Sequence, residues 1–217
     1  MDNVMLKRWL VPVTPSTDAT TTGPLPQTVL ARDRRSVLLR HIVPGDETLL
    51  DEFFAGLTPA ARRLRFHGGV RTVSRQVLQR MTHWDAQREL ALLALAETAD
   101  GPRCIAEARY ALADDAVDER EFALVVDDNW QGVGIGGALL QRLIASAERQ
   151  QVGRLIGDVV ADNDAMISLA RRHEFQLRSH PGDARLRLLS RTLQQQPVEQ
   201  PQRLPLTTPM PRWVPAH

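Results

Sequence analysis

The stretch "DDNWQGVGIGGALLQRL", residues 127 to 143, places Gly132, Gly134, Gly136 and Gly137 within six positions and runs directly into an apolar helical pattern. Glycine at this density lets the chain take left-handed dihedrals and lets the backbone come close to another group. Beyond it Leu139, Leu140, Leu143, Ile144 and Ala147 recur on one face, with Gln141, Arg142, Glu148 and Arg149 on the other. Successive N–H groups in such a turn point at one spot, at the positive end of the following helix, and make an anion site that needs no lysine. A turn serving only close helix–sheet packing needs one glycine rather than four.

Two phosphate patterns overlap here. Gly132, Gly134 and Gly137 spell G-x-G-x-x-G, whereas Gln131, Gly134 and Gly136 spell Q-x-x-G-x-G. In a dinucleotide fold the strand runs straight into the first glycine and several more strands follow. "DDNWQ" instead separates "LVV" from Gly132, few strands remain, and the acid at the expected distance, Asp158, falls inside "GDVVA". A Walker loop is excluded because no Gly-Lys-Ser/Thr follows.

The Pro/Thr-rich start and the Gln/Pro-rich end, "QQQPVEQPQRLPLTTPMPRWVPAH", lack apolar periodicity. A disordered or extended segment is therefore expected over 1–35, a folded body over 36–190 and a flexible tail over 191–217. In the body, "SVLLRHIV" predicts a strand, and helices follow over "DETLLDEFFAGL", from Thr58-Pro59, and over "SRQVLQRM". "ELALLALAE", "RCIAEARYAL" and "EFALVV" predict three strands. After the glycine helix come a strand, "RLIGDVVA", a helix opened by Asp162-Asn163, and two strands around "HPGD". Short links make consecutive strands antiparallel, while the strand–helix–strand unit around the glycines is parallel. The expected class is α+β (an α/β three-layer arrangement): a mixed, mostly antiparallel sheet with a central parallel pair and helices on both faces.

The segment "EFALVVDDNWQGVGIGGALLQRLIASAERQQVGRLIGDVVADNDAMISLARRHEF" resembles the core of the GNAT acyl-CoA acyltransferases. Strand, Q-x-x-G-x-G loop, amphipathic helix, strand and Asn-initiated helix come in that family's order. "SVLLRHIVPGDETLLDEFFAGLTPAARRLRF" is similar to the opening of its bacterial protein lysine acetyltransferase branch. The resemblance implies acetyl-CoA as co-substrate. Its pyrophosphate would lie on Gln131, Gly132, Val133, Gly134, Ile135, Gly136 and Gly137, and its pantetheine arm along Leu124, Val125 and Val126. Asn163 would reach the arm or simply cap its helix. The branch commonly carries arginines where Val133 and Gly137 stand here, so weaker cofactor affinity is expected. Glu174 stands where the family ends a helix on glycine, which implies a left-handed glutamate or a different stop.

Transfer to an amine needs a base, because a lysine side chain is almost wholly protonated at neutral pH. Glu121, opening "EFALVV", matches the place of the branch's catalytic glutamate and should face the same way as Ala123 and Val125. Glu107, in mid-strand, is the second choice and more naturally pairs with an arginine. The single tyrosine, Tyr110, does not follow the asparagine helix, so no general acid is assigned. Direct transfer is expected, because the sole cysteine, Cys104, is placed away from the loop; it also permits no internal disulfide, which fits a cytosolic chain.

No metal site is expected, since the six histidines lack ligand spacing. Lys+Arg 27 against Asp+Glu 26 gives no long-range field for nucleic acid or anionic lipid. The first apolar burst is too short for a membrane span. Arg62, Arg63 and Arg65 read as a solvated helix face. The acceptor implied is an amine: a protein lysine by branch resemblance, or else an amino acid or other small amine. A non-catalytic acyl-CoA sensor is the rival of another class.

Overall fold

The computed structural model describes residues 25–67, 72–113 and 116–194. Its strands are β1 (Gln27–Leu30), β2 (Ser36–His41), β3 (Leu90–Thr98), β4 (Gly101–Ala113), β5 (Ala116–Val126), β6 (Arg154–Val160), β7 (Gln176–Ser179) and β8 (Leu186–Thr192). The helices are α1 (Glu47–Gly56), α2 (Pro59–Phe66), α3 (Arg75–Thr82), α4 (Ile135–Arg149) and α5 (Asp164–Arg172). One sheet orders the strands β1-β2-β3-β4-β5-β6-β8-β7. Every pairing is antiparallel except β5 with β6, as the strand–helix–strand reading required.

Local chemistry explains most of the boundaries. Thr58 and Ser74 accept from the N–H groups of Ala61 and Val77, capping α2 and α3, and Pro59 opens α2, where its missing N–H costs nothing. "ELALLALAE" is a strand because its partners bury both faces: Leu92 and Ala94 pack toward α4, Leu93 and Leu95 toward α1 and α3. The sheet thus carries two apolar layers, one under α4 and α5 and one under α1–α3.

The folded part begins before position 36. β1 pairs with β2 at the sheet's edge, and Ala31 is buried behind it. Four residues, three of them exposed, carry no alternation that would betray a strand, and the neighbouring Pro/Thr composition masks them. Residues 1–24 and 195–217, including Trp213, lie outside the described residues. Among the described residues, no helix is long and apolar enough to cross a membrane.

The parallel pairing is short. β5 and β6 are bridged at Glu119–Arg154, Arg120–Leu155 and Glu121–Ile156, whereas β4 stays paired with β5 out to Val126. From Phe122 onward β5 and β6 therefore splay apart, and one edge of β5 is unpaired. This opening positions the site.

At the end of α5, Glu174 is left-handed at φ 63°, while Phe175 donates to Ala170 O at 3.0 Å. Its ion pair with Arg191 is solvent-screened on the glutamate side and offsets little of the backbone strain. Glu174→Gly should raise unfolding stability by up to about 1 kcal/mol, read as a higher denaturation midpoint. An unchanged or lowered midpoint would show that Arg191 and the glycine's unfolded-state entropy outweigh that relief.

Candidate active site

A cavity of about 570 Å³ occupies the splay. Leu124, Val125 and Val126 form its floor, and Gln131, Gly132, Gly134, Gly136 and Gly137 form one end. Asn163, Met166, Leu169, Arg172 and His173 of the α5 region line one wall, and Ala61, Leu64 and Arg65 of α2 the other. A long, narrow, mostly apolar ligand with a charged end suits such a space.

The glycine end is shaped by backbone geometry. Gly132 and Gly134 have φ of 76° and 101°, which a side chain would strain. Gly134 caps α4, whose first bonded amide is Ala138 N, donating to Gly134 O at 3.1 Å. The N–H groups of the first turn thus precede the helical ladder and remain available to an anion. At Gly136 a Cβ would sit 3.4–3.6 Å from Leu169, Val126 and Leu124, ordinary van der Waals contact that does not demand glycine. Gln131 holds the turn to the strand by donating to Val126 O at 3.1 Å and Asp128 Oδ1 at 3.0 Å.

Two expected cofactor residues stand apart from the cavity. Ile135 is buried in the core, because the first turn of α4 must anchor on the sheet. Val133 packs against the same core, and its carbonyl accepts from Arg32 N at 2.9 Å. Asn163 caps α5, its Oδ1 accepting from Met166 N at 3.0 Å, and the residue also lines the cavity.

Glu121 lies at the last bridged position, where the strands begin to part, and is buried. It is not on the wall of the large cavity; strand alternation puts it on the α1–α3 side with Ala123 and Val125. A small space of about 30 Å³ beside the cavity is lined by Arg65, His67, Phe122, Ala123, Leu124 and Asp158 among others, and Glu121 does not line it either. Burial first and then the Arg65 charge hold the His67 imidazole below its ordinary pKa, against an opposing pull from Asp158.

Of the three α2 arginines expected on a solvated face, Arg63 is exposed, while Arg62 and Arg65 turn inward to partners. Arg62 donates to Phe54 O, Ala55 O and Leu57 O, closing the carbonyl end of α1. Arg63 is exposed and meets Asp162 at 3.1 Å. Arg65 is buried and donates to Glu107 Oε2 at 3.0 Å, while Arg109 donates through Nε to Oε1 of the same carboxylate. Glu107 is fully buried, so this network fits the structural pairing favoured for it. Burial raises its pKa, but Arg109 and Arg65 outweigh that and hold it below the usual carboxylate range.

Cys104 and Tyr110 do not line the cavity. Cys104 is buried in the α1–α3 core, where burial pushes its thiol up, a poor nucleophile. Tyr110 shares a hydrogen bond of 3.0 Å with Ser146 and is pushed up to about 12, mainly by burial. Among the described residues no cluster of three metal-ligating side chains is present. Sequence reasoning missed Arg32, Met166, Leu169, Arg172 and His173 as lining residues. The α5 set follows the helical period from Asn163, whereas Arg32 sat in a segment assigned no structure.

Comparison with known proteins agrees with this arrangement. The model of the Acetyltransferase (GNAT) family matches residues 61–175, more than half of the chain. Acetyltransferase PA5475 of Pseudomonas aeruginosa is 29% identical over 152 residues, covering 70% of this chain and 81% of that protein. The crystal structure of the GNAT domain of S. lividans PAT superposes with a TM-score of 0.68 at 26% identity, covering 77% of this chain and 96% of that one. A cAMP-binding acyltransferase from Mycobacterium smegmatis superposes with a TM-score of 0.53 at 25% identity, over 78% of this chain and 47% of that one. With a splayed parallel pair, a glycine turn at the head of α4 and this family match, the chain belongs to the GNAT acetyltransferases, enzymes that move an acetyl group from acetyl-CoA to an amine.

Proposed function

We propose that this enzyme binds acetyl-CoA in the splayed cavity and transfers the acetyl group directly to a protein lysine, with Glu121 as general base. One observation carries the reading: a single cavity joins the unpaired edge of β5 to the glycine turn that opens α4. The turn's amides take the pyrophosphate, and the pantetheine arm runs along Leu124–Val126, hydrogen-bonding as an added strand. Asn163 and Met166 flank the arm.

The thioester then lies toward the vertex, where the backbone of β5 polarises its carbonyl. The acceptor amine approaches from the space beside His67 and Asp158. Its proton passes to Glu121 through one bridging water, since Glu121 is set back from the large cavity. The amine nitrogen attacks the carbonyl carbon; a C–N bond forms, the C–S bond breaks, and coenzyme A leaves as thiolate, which takes up the second proton, the one that the new amide nitrogen sheds. Asp158, on the acceptor side, favours a cationic substrate. The lysine assignment rests on the 26% identity to the S. lividans PAT domain and on the resemblance of the α1–α2 region; a small amine is the competing acceptor.

Titration of acetyl-CoA into the protein by calorimetry should give one site. Incubation with radiolabelled acetyl-CoA and no acceptor should leave the protein unlabelled, because the buried thiol of Cys104 cannot carry the acetyl group. A stoichiometric acetyl-enzyme would overturn direct transfer. Tight binding with no turnover on lysine peptides, proteins and small amines would favour a sensor instead.

A further inference from the structure

We propose that Arg32, on the turn between β1 and β2, binds the pyrophosphate of coenzyme A, supplying the side-chain charge that the glycine turn lacks; this rests on the acetyl-CoA reading above. The glycine turn itself offers only amides, since Val133 is half-buried against the core and Gly137 has no side chain. Arg32 arrives from a segment far earlier in the chain, and lines the cavity beside Gly132 and Gly134.

The approach is close and fixed. A Cβ on Gly134 would sit 3.8 Å from both Cγ and Nε of Arg32, so the guanidinium stem lies along the cap of α4. The backbone of Arg32 is tied down by donating to Val133 O at 2.9 Å. Its neighbour Arg35 stacks 3.4 Å above the Trp130 ring and donates to Asn129 O at 3.0 Å. Asp33, the nearest acid in the turn, is occupied by Arg35 at 2.7 Å and does not neutralise Arg32. The β1–β2 turn is thus clamped onto the glycine turn at several points, and its exposed arginine faces the anion end.

Charge around the cavity points the same way. Among the described residues its ionisable lining consists of Arg32, Arg65, Arg172 and His173, with no carboxylate. Arg65 is committed to Glu107, and Arg172 and His173 stand on the α5 wall. Arg32 supplies the cation on the glycine side. A planar guanidinium meets two phosphate oxygens at once, which suits a diphosphate better than a single charge would.

The test titrates wild type and Arg32→Ala with acetyl-CoA and with 3′-dephospho-acetyl-CoA at two salt concentrations. The substitution should weaken both ligands by the same factor, about 10-fold or more, and flatten the salt dependence. Thermal unfolding should not move, because alanine keeps the backbone bond to Val133. Arg32→Gln provides the same comparison should the alanine variant fold poorly. Unchanged affinity in the variant overturns the proposal. A loss confined to the ligand carrying the 3′-phosphate overturns the pyrophosphate assignment. Absence of heat with wild type would sink the acetyl-CoA reading itself, and Arg32's role with it.

Discussion

Glu121→Gln is expected to lower turnover by about 10²–10⁴-fold while leaving acetyl-CoA affinity within about twofold. The carboxamide and the carboxylate have the same shape, so a buried residue at the last β5–β6 bridge keeps its packing. What glutamine cannot do is accept the proton that the amine must shed before it attacks the thioester. The cofactor site proposed above lies further along the strand, at Leu124–Val126, and on the glycine turn, neither of which the substitution touches. Steady-state rates with a lysine peptide, alongside calorimetric affinity for acetyl-CoA, separate the two effects. Raising the assay pH should partly rescue the variant, because more amine is then already neutral. Turnover equal to wild type would remove Glu121 from the mechanism and direct attention to Asp158 and His67.

The largest effect on stability should come from Glu107→Ala, at about 3–5 kcal/mol of unfolding free energy. The substitution leaves Arg109, almost wholly buried, and buried Arg65 without their shared carboxylate. Arg109 keeps its bond to Met81 O at 3.3 Å, but a neutral carbonyl does not replace a carboxylate. Chemical denaturation measures the loss; a cost under about 1 kcal/mol would mean that solvent reaches the pocket and compensates for the missing charge.

The same network gives stability a pH dependence. Arg109 and Arg65 hold the Glu107 carboxyl below its ordinary pKa in the folded protein. Its stabilising contribution is therefore complete above the unfolded carboxylate range and disappears as pH falls through that range toward the lower folded value. Wild type should lose stability on acidification more steeply than Glu107→Ala. Parallel curves for the two would exclude Glu107 as a source of the acid sensitivity. Because Arg65 also lines the cavity, the variant tests at once whether the α2 wall keeps its shape.

Much of the fold was legible because its determinants are local. Thr58-Pro59, Ser74 and Asn163 announce helix starts through side-chain oxygens that reach the next turn. The period of Leu139, Leu140, Leu143 and Ile144 announces the buried face of α4. At Glu174 the resemblance left open a left-handed glutamate or a different helix stop, and the structure takes the first. β1 escaped notice because an exposed edge strand needs no apolar alternation, and Arg62 and Arg65 misled because charge looks solvated until its partners are known. Those partners, Glu107 and the end carbonyls of α1, come from other elements.

The sequence by itself determined the element order from β2 to β8, the parallel unit and the glycine turn that opens α4, since each depends on residues within a few positions of one another. Only the tertiary structure decided where β5 and β6 part, that Ile135 and Val133 turn to the core, and that Arg32 faces the glycines. Those depend on how far two strands stay paired and which distant turn lies against a helix end, and neither is encoded in any short stretch of residues.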